Sequence, residues 1–243
     1  MESAQENNCM EENGVEKKRL GLLRVKVDQE DPGAKGLDDL MLRRFLRARD
    51  LNVEKAASLL LRYLKWRRSF VPRGFISEDE IRNEIAKEKM FLQGVDKKER
   101  PIMVALGVRH TYYDRDLEEF KRYLVYGIDK ICASMKEGQE KFVVIGDLEG
   151  WGYANCDFRA HLAAVEMMQD YYPERLAKVY LLHAPYIFWT AWKLVYPFID
   201  SNTRKKIVFV ENKRLKETLL EDIDEGQLPE RYGGKLPLVP IYK

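Results

Sequence analysis

Residues 171–210 read YYPERLAKVYLLHAPYIFWTAWKLVYPFIDSNTRKKIVFV, and this stretch decides the fold. It holds two short apolar runs with the length of buried strands, 177–182 and 207–210. Between them, 186–198 is long enough for a helix and is apolar nearly all round. Pattern alone places such a helix in a core, whereas its tryptophans and tyrosines are residues that membrane interfaces favour. Both interpretations stay open for this helix.

The alternation of strand and helix extends over the whole second half of the chain. The strand-like runs are 101–108, 142–148, 177–182 and 207–210, and the helical stretches are 117–135, 158–170, 186–198 and 215–220. Because the strand-like runs are nearly all apolar, we expect an α/β domain whose mainly parallel sheet is covered on both faces. Ligands of such sheets tend to lie beyond the carboxyl ends of the strands.

The first half of the chain predicts a small helical domain. Apolar residues recur at helical spacing over 37–70, Arg49 falls on the apolar side of its helix, and Pro72-Arg73-Gly74 ends the pattern. Ser77 and the acidic residues after it predict the start of a third, short helix. The predicted domains are a polar flexible tail over 1–36, with a short helix over 17–27, a helical domain over 37–88 and the α/β domain over 89–243.

Composition limits the class of partner. Lysine plus arginine (42) nearly balances aspartate plus glutamate (40), so the net charge of +2 does not demand a nucleic acid. The three cysteines contain no CxxC pair, which favours a reducing compartment over a disulfide framework or a zinc site. The acidic N-terminal residues predict no secretory signal, and the apolar stretch 186–199 is too short to span a bilayer. We therefore expect a cytoplasmic protein whose membrane contact is peripheral.

Signals of catalysis are weak. The chain has no GxSxG elbow, phosphate-binding GxxxxGK[ST] loop or HExxH pair, and its three histidines lack metal-ligand spacing. Gly150 and Gly152, with Asp170 further on, are faintly similar to a dinucleotide fingerprint, but Asn155 stands at the third glycine position. A tight turn is the better interpretation, and His183 is expected to be structural. We predict no enzyme, no catalytic residue, no metal site and no cofactor.

Several motifs, taken together, resemble the CRAL-TRIO family in order and spacing, over about residues 37–236. They are Leu42 to Arg49, Lys65-Trp66-Arg67, Arg100-Pro101, Asp147 to Gly150, Tyr171 to Arg175, His183-Ala184-Pro185, Pro197 to Asp200, Thr203, Lys206-Ile207, Leu228-Pro229 and Tyr232-Gly233-Gly234. The resemblance implies an N-terminal helical domain followed by an α/β lipid-binding domain with an apolar pocket for one lipid. It also implies that a mobile helix, 186–202, closes that pocket. The implied gate and pocket residues are Tyr186, Phe188, Trp189, Trp192, Val195 and Phe198.

The resemblance also implies a headgroup site. In the phosphatidylinositol-transfer branch, an arginine, a glutamate and a lysine recognise the headgroup, and by motif position these are Arg49, Glu174 and Lys206, with Thr203 beside them. The chemistry is reasonable, since a carboxylate accepts from inositol hydroxyls while lysine and threonine hold the phosphate. On the apolar side of its helix, Arg49 would need a buried partner such as Glu174. An ordinary ion pair remains the alternative for each residue.

From this resemblance we expect a phosphatidylinositol-binding protein that transfers the lipid between membranes or presents it to lipid kinases. We expect a monomer that contacts membrane surfaces transiently. Family members that also carry phosphatidylcholine use hydroxyl side chains around that headgroup, some of them in the turn that corresponds to 151–155. This turn contains no serine or threonine, so a second ligand such as phosphatidylcholine stays open. The alternatives are a carrier of another hydrophobic ligand (phosphatidylcholine, a sterol or a tocopherol-like compound) and a lipid-sensing regulatory adaptor. A nucleotide-dependent enzyme is the most distant alternative.

Overall fold

The computed structural model describes residues 2–242, with side chains from Gly14 onward. The described chain forms two compact units. The first holds the residues up to Gly74 together with Asp170–Glu174, and the second holds Phe75–Gln169 and the residues from Arg175 onward. No described helix is both long enough and apolar enough to cross a bilayer.

The first unit is built from three helices. They are α1 (Glu2–Glu30), α2 (Asp39–Arg47) and α3 (Val53–Phe70). Asp38 begins α2 by accepting a hydrogen bond from the backbone N–H of Met41 at 2.6 Å, and Asn52 begins α3 in the same way. The three helices share one core, formed by Leu20, Leu23, Val27, Leu42, Phe45, Leu46, Ala56, Ala57, Leu59 and Leu60.

The prediction of a flexible tail over 1–36 is wrong for its described side chains. Leu20, Leu23 and Val27 lie three and four residues apart and are buried in the first unit's core. Arg19 donates to the backbone carbonyl of Leu51 at 2.9 Å, which holds α1 to the turn before α3. The predicted helix over 17–27 therefore exists as part of a longer one. Its apolar stripe is narrow, and the polar residues between its members concealed it.

The second unit contains a five-stranded sheet in the order β1-β2-β3-β4-β5. The strands are β1 (Met90–Val95), β2 (Pro101–Leu106), β3 (Phe142–Asp147), β4 (Leu176–Leu182) and β5 (Ile207–Phe209). β2 to β5 pair in parallel, which confirms the predicted sheet, and β1 runs antiparallel to β2. Pattern reasoning missed β1 because Gln93 and Gly94 interrupt its apolar run, and the pairing with β2 shifts register there.

Helices precede, connect and follow these strands. They are α4 (Arg82–Ala86), α5 (Leu117–Ala133), α6 (Phe158–Tyr171, whose last two residues belong to the first unit), α7 (Phe188–Val195), α8 (Ser201–Arg204) and α9 (Leu215–Asp222). The sheet core is formed by Ile102, Val104, Val143, Ile145, Tyr180 and Leu182, with Leu219 of α9 packed against it. The predicted helix over 186–198 is shorter, because a 3-10 turn, Tyr196–Phe198, follows α7.

The boundary between the units follows Gly74, not residue 88 as predicted. The turn Glu78–Ile81 and α4 pack against α5 of the second unit. Tyr126 on α5 donates its hydroxyl to Glu78 at 3.0 Å, and Glu119 accepts from the backbone N–H of Asn83 at 2.7 Å. These contacts assign the short helical segment to the α/β unit. Helical content alone cannot indicate which core a short helix joins.

Candidate functional site

Helix α7 carries apolar side chains on a buried face and, at Leu194, on an exposed side. Phe188 and Val195 are buried, and Phe188 packs with Leu148 and Trp151 at the carboxyl end of β3. Phe209 of β5 contacts the same side of the helix, with its ring centre 4.5 Å from that of Trp189 and 5.3 Å from that of Trp192. This face closes an aromatic cluster against the sheet.

The other face of α7 and the turns at its ends are exposed. Tyr186 is 92% exposed, Leu194 57% and Phe198 50%. Of the six predicted gate and pocket residues, Phe188 and Val195 therefore face inward, Trp189 and Trp192 lie at the margin, and the other two face outward. The core interpretation therefore holds for one face of the helix, and the interpretation as a membrane-facing helix stays a prediction for the exposed side.

The amino end of α7 is attached to a buried carboxylate. His183 directly follows β4, five residues before α7, with φ +53°, a left-handed conformation uncommon for histidine, and its Nδ1 lies 2.9 Å from Asp147 Oδ1. Asp147 also accepts from the backbone N–H of Glu149 at 3.0 Å, from Arg231 at 2.8 Å and from the hydroxyl of Tyr232 at 3.1 Å. Burial alone would raise the pKa of Asp147, but these donors lower it. The contact agrees with the structural role expected for His183.

A second carboxylate organises the segment after α7. Asp200 accepts from the backbone N–H groups of Asn202 and Thr203, both at 2.9 Å, and so begins α8. Partial burial would raise the pKa of Asp200, but hydrogen bonds from the hydroxyl and N–H of Thr203, together with the charge of Lys206, lower it. The backbone carbonyl of Lys206 accepts from Val179 at 2.8 Å, which starts the pairing of β5 with β4. Thr203 therefore binds Asp200 directly, and the charge of Lys206 acts on the same carboxylate.

The segment that contains Glu174 is held by α3 within the first unit. Arg62 pairs with Asp170 at 2.8 Å. The rings of Trp66 and Tyr171 are stacked, with centres 3.8 Å apart and an angle of 4° between their planes. Glu174 follows these contacts, half-buried and with φ +57°. An ion pair and a ring stack therefore define the position of the segment that ends in Glu174.

Arg49 does not lie on the buried stripe of its helix, so that prediction is wrong. Helix α2 ends at Arg47, and the chain reverses through Asp50 and Leu51, both with positive φ. Arg49 is half-buried in this turn and donates to the carbonyl of Ala48 at 2.7 Å. The buried arginine of α2 is Arg44, which is 5% exposed. The helical spacing of the sequence continues to Arg49, but the helix ends two residues before it.

The four predicted headgroup residues are divided between the units. Arg49 and Glu174 belong to the first, and Thr203 and Lys206 belong to the second. A model of the CRAL/TRIO domain matches residues 85–234, which is more than half of the chain. The chain belongs to the CRAL/TRIO family. The predicted resemblance is confirmed, and Arg49 lies outside the matched region.

Relatives of this CRAL/TRIO chain agree with the match. It is 30% identical over 239 residues to the Sec14 cytosolic factor of Schizosaccharomyces pombe, covering 91% of this chain and 83% of that protein. It is 32% identical over 215 residues to phosphatidylinositol/phosphatidylcholine transfer protein SFH13 of Arabidopsis thaliana, covering 79% of this chain and 34% of that protein. The crystal structure of Sfh5 shares the fold with a TM-score of 0.68 and 20% identity, over 85% of this chain and 84% of Sfh5.

Within the CRAL/TRIO region, sequence reasoning missed a buried polar network. Lys89 contacts Glu84, and its ammonium lies 3.1 Å from His110 Nδ1. Nε2 of His110 lies 3.1 Å from Asp157, which also binds Arg115 through two hydrogen bonds of 2.6 and 2.9 Å. Because the ammonium only donates, Nδ1 accepts and Nε2 carries the proton that is donated to Asp157. No sequence signal joins these residues, because they come from separate connections between elements.

Electrostatics keep His110 of this network neutral. Burial and the nearby Lys89 ammonium lower the pKa of His110 to about 4. Burial would raise the pKa of Asp157, but hydrogen bonds from Arg115, Ala160 and His110 bring it down to about 2. The network therefore consists of a neutral imidazole between a cation and a carboxylate. Its members are nearly all buried and paired, which is typical of a structural network.

Proposed function

We propose that this chain binds one phospholipid, with phosphatidylinositol as the preferred headgroup, and transfers it between membranes without catalysing a reaction. The observation that carries the proposal is the two-sided apolar character of α7. Its inner face packs with Trp151 and Phe209, while Leu194 on its other side and Tyr186 in the turn before it are exposed. Membership of the CRAL/TRIO family and similarity to a phosphatidylinositol/phosphatidylcholine transfer protein support the same function.

Energetics explain why a transfer protein needs such a helix. A diacyl lipid carries about 30 methylenes, each costing about 0.8 kcal/mol in water, so free desorption costs on the order of 25 kcal/mol. An apolar cavity makes the exchange nearly neutral, and a gate that opens against the bilayer avoids the aqueous step. Exposed Tyr186 and Leu194 are suited to that contact, since aromatic and aliphatic side chains partition into the interface.

The proposed headgroup residues are Arg49, Glu174, Thr203 and Lys206. Glu174 would accept hydrogen bonds from inositol hydroxyls, and Lys206 with Thr203 would hold the phosphate. Thr203 binds Asp200 and the charge of Lys206 acts on the same carboxylate, which supports a joint role. Arg49 is the weakest member, because its turn lies outside the matched family region.

The proposal extends to the setting of the protein. We propose a cytoplasmic monomer that contacts membranes transiently, uses no cofactor apart from the bound phospholipid, and presents phosphatidylinositol to lipid kinases. A second lipid such as phosphatidylcholine stays open. In the turn after β3, the side-chain amide of Asn155 donates hydrogen bonds to the carbonyls of Val108 and His110, at 3.0 and 2.6 Å. Tyr153 in the same turn is 82% exposed. That turn therefore favours neither phosphatidylcholine nor another hydrophobic ligand. A carrier of a sterol or tocopherol is the second candidate function.

Transfer of labelled phosphatidylinositol between vesicles tests the function and the site together. We expect the wild-type chain to transfer the lipid and Lys206→Ala to lose about tenfold or more, since a charged hydrogen bond contributes about 1.5–3 kcal/mol. Lys213→Ala is the matched control, because Lys213 is an exposed lysine in the turn before α9. Transfer that survives in Lys206→Ala would remove the site assignment. No transfer by the wild type, with uptake of a labelled sterol or tocopherol instead, would favour the second candidate.

A further inference from the structure

The carboxyl end of α7 is held by an arginine from the next helix. Helix ends leave backbone carbonyls without intrahelical partners. Arg204, the last residue of α8, donates through Nη2 to the carbonyls of Tyr196 at 3.0 Å and Pro197 at 3.3 Å. Its guanidinium also lies 4.2 Å from the centre of the Tyr196 ring. Arg204 therefore closes the end of α7 through two hydrogen bonds and a cation–π contact.

A glutamine of α6 holds the same end of α7 from another direction. Gln169 donates its amide to the carbonyl of Phe198 at 3.1 Å and accepts from the backbone N–H of Asp200 at 2.7 Å. The two bonds flank Ile199 and attach the chain after α7 to the last turns of α6. The ring of Phe198 also contacts that of Phe158 at the start of α6, with centres 6.2 Å apart.

The two ends of α7 differ in how firmly they are attached. At the amino end, His183 binds Asp147, a carboxylate that is 1% exposed and has four donors. At the carboxyl end, the acceptors are neutral backbone carbonyls at exposed positions. A buried carboxylate with a cationic donor among its partners is held more firmly than backbone carbonyls at exposed positions, even though the guanidinium of Arg204 makes two of their hydrogen bonds charge-assisted. The carboxyl end is therefore the end that releases first, with His183 as the pivot.

One hydrogen-bond donor of Arg204 lacks an acceptor among the described residues. This donor is Nε, which is buried. A buried donor without an acceptor is unfavourable in the closed arrangement, and moving the side chain into water would relieve it. Arg204 thus stabilises the closed end of α7 while carrying a penalty that favours release.

We propose that Gln169 and Arg204 form a latch, and that release of this latch sets the rate at which α7 opens. The two are positioning residues, since they act on α7 and not on a ligand. The link from opening to lipid exchange rests on the proposed function, whereas the latch itself does not. Weakening it shifts α7 towards the open arrangement, which speeds uptake and release of a bound lipid.

Amide hydrogen exchange of the full chain tests the latch directly. We expect Gln169→Ala and Arg204→Gln each to raise the exchange rate of the α7 amides by roughly two- to tenfold, the range set by the loss of one net hydrogen bond. Exchange in β4 stays unchanged, because its amides do not depend on α7. Gln29→Ala and Arg214→Gln are matched controls, since both residues are exposed and lie in α1 and before α9.

The outcomes separate the latch from the proposed function. Faster exchange in α7 with unchanged exchange in β4 supports the latch, and α7 exchange equal to that of the controls overturns it. Arg204→Lys keeps the positive charge but loses the guanidinium fork, so an α7 exchange rate between those of the wild type and Arg204→Gln is expected. If the other variants do not fold, the α7 exchange rate of Arg204→Lys alone tests the latch. Failure of the wild type to transfer any lipid contradicts the proposed function and leaves the amide result standing.

Discussion

At the scale of single residues, position in the fold decides the role of chemically similar groups. His183 and His110 both contact an aspartate, yet His183 lies half-buried at the end of β4 and His110 is 8% exposed. The burial of His110 keeps it neutral between Lys89 and Asp157. No pattern in the chain distinguishes these histidines, because their burial is a property of the packed connections around them.

The buried state of His110 predicts acid sensitivity. Its pKa is about 4 in the folded chain, below the ordinary value of about 6.5, so the unfolded chain binds the proton first as pH falls. Stability is therefore full above about pH 6.5 and declines by a few kcal/mol as pH falls through about 4. The free energy of unfolding, measured by urea titration between pH 7 and 4, is the test. His110→Gln should reduce this dependence and leave the part that comes from His161, whose pKa burial also lowers, and an equal slope in both proteins would contradict the assignment.

At the scale of elements, helix α1 shows how narrow a decisive apolar stripe is. Leu22 and Leu23 are neighbours in sequence, but Leu22 is 54% exposed and Leu23 is fully buried with Val27 and Leu46. The mostly polar composition of the helix suggested a flexible tail. One stripe of three residues was enough to bring the helix into the first unit's core, because each buried leucine removes its whole side chain from water.

This pair of leucines supplies a matched prediction. Leu23→Ala should reduce the free energy of unfolding by about 2–5 kcal/mol, because it leaves a cavity in a packed core. Leu22→Ala should change it by about 0.5 kcal/mol or less, since the exposed side chain loses little on truncation. Chemical denaturation of both variants provides the comparison. Equal effects would show that α1 does not pack as described.

At the scale of the whole molecule, charge is balanced while apolar exposure is localised. A net charge of +2 creates no strong long-range field. Around α7, by contrast, Tyr186, Leu194, Tyr196 and Phe198 are all more than two-fifths exposed. A chain with this distribution is expected to meet a membrane through apolar insertion more than through charge attraction.

Vesicle binding tests that expectation. Binding to phosphatidylcholine vesicles should change little between low and high salt, since screening affects charge attraction and not burial of apolar surface. Tyr186→Ser combined with Leu194→Ser should weaken binding by about tenfold or more, because burying each large apolar side chain contributes about 1.5–3 kcal/mol. Tyr153→Ser is the control, as Tyr153 is 82% exposed in the turn after β3. A strong decline with salt would indicate a basic docking surface instead.

The sequence by itself determined the fold class, the parallel strands and the family. These follow from local periodicity and from motifs whose spacing is a property of the chain. Asp147, the last residue of β3, and Asp200, the residue before α8, each accept from the backbone N–H two residues further on, so these local turns were within reach of pattern reasoning.

Only the tertiary structure decided which apolar faces are covered and which polar groups meet. It placed α1 in a core, moved the boundary to Gly74, ended α2 before Arg49 and gave α7 one inner and one outer face. It also joined Gln169 to the segment after α7 and His110 to Asp157. These contacts join residues that are far apart along the chain. Each of these residue types would also suit a different position in a fold, so the sequence does not indicate its partner. Periodicity indicates which face of a segment is apolar enough to be buried, whereas only the packing of the whole chain determines which other segments cover that face.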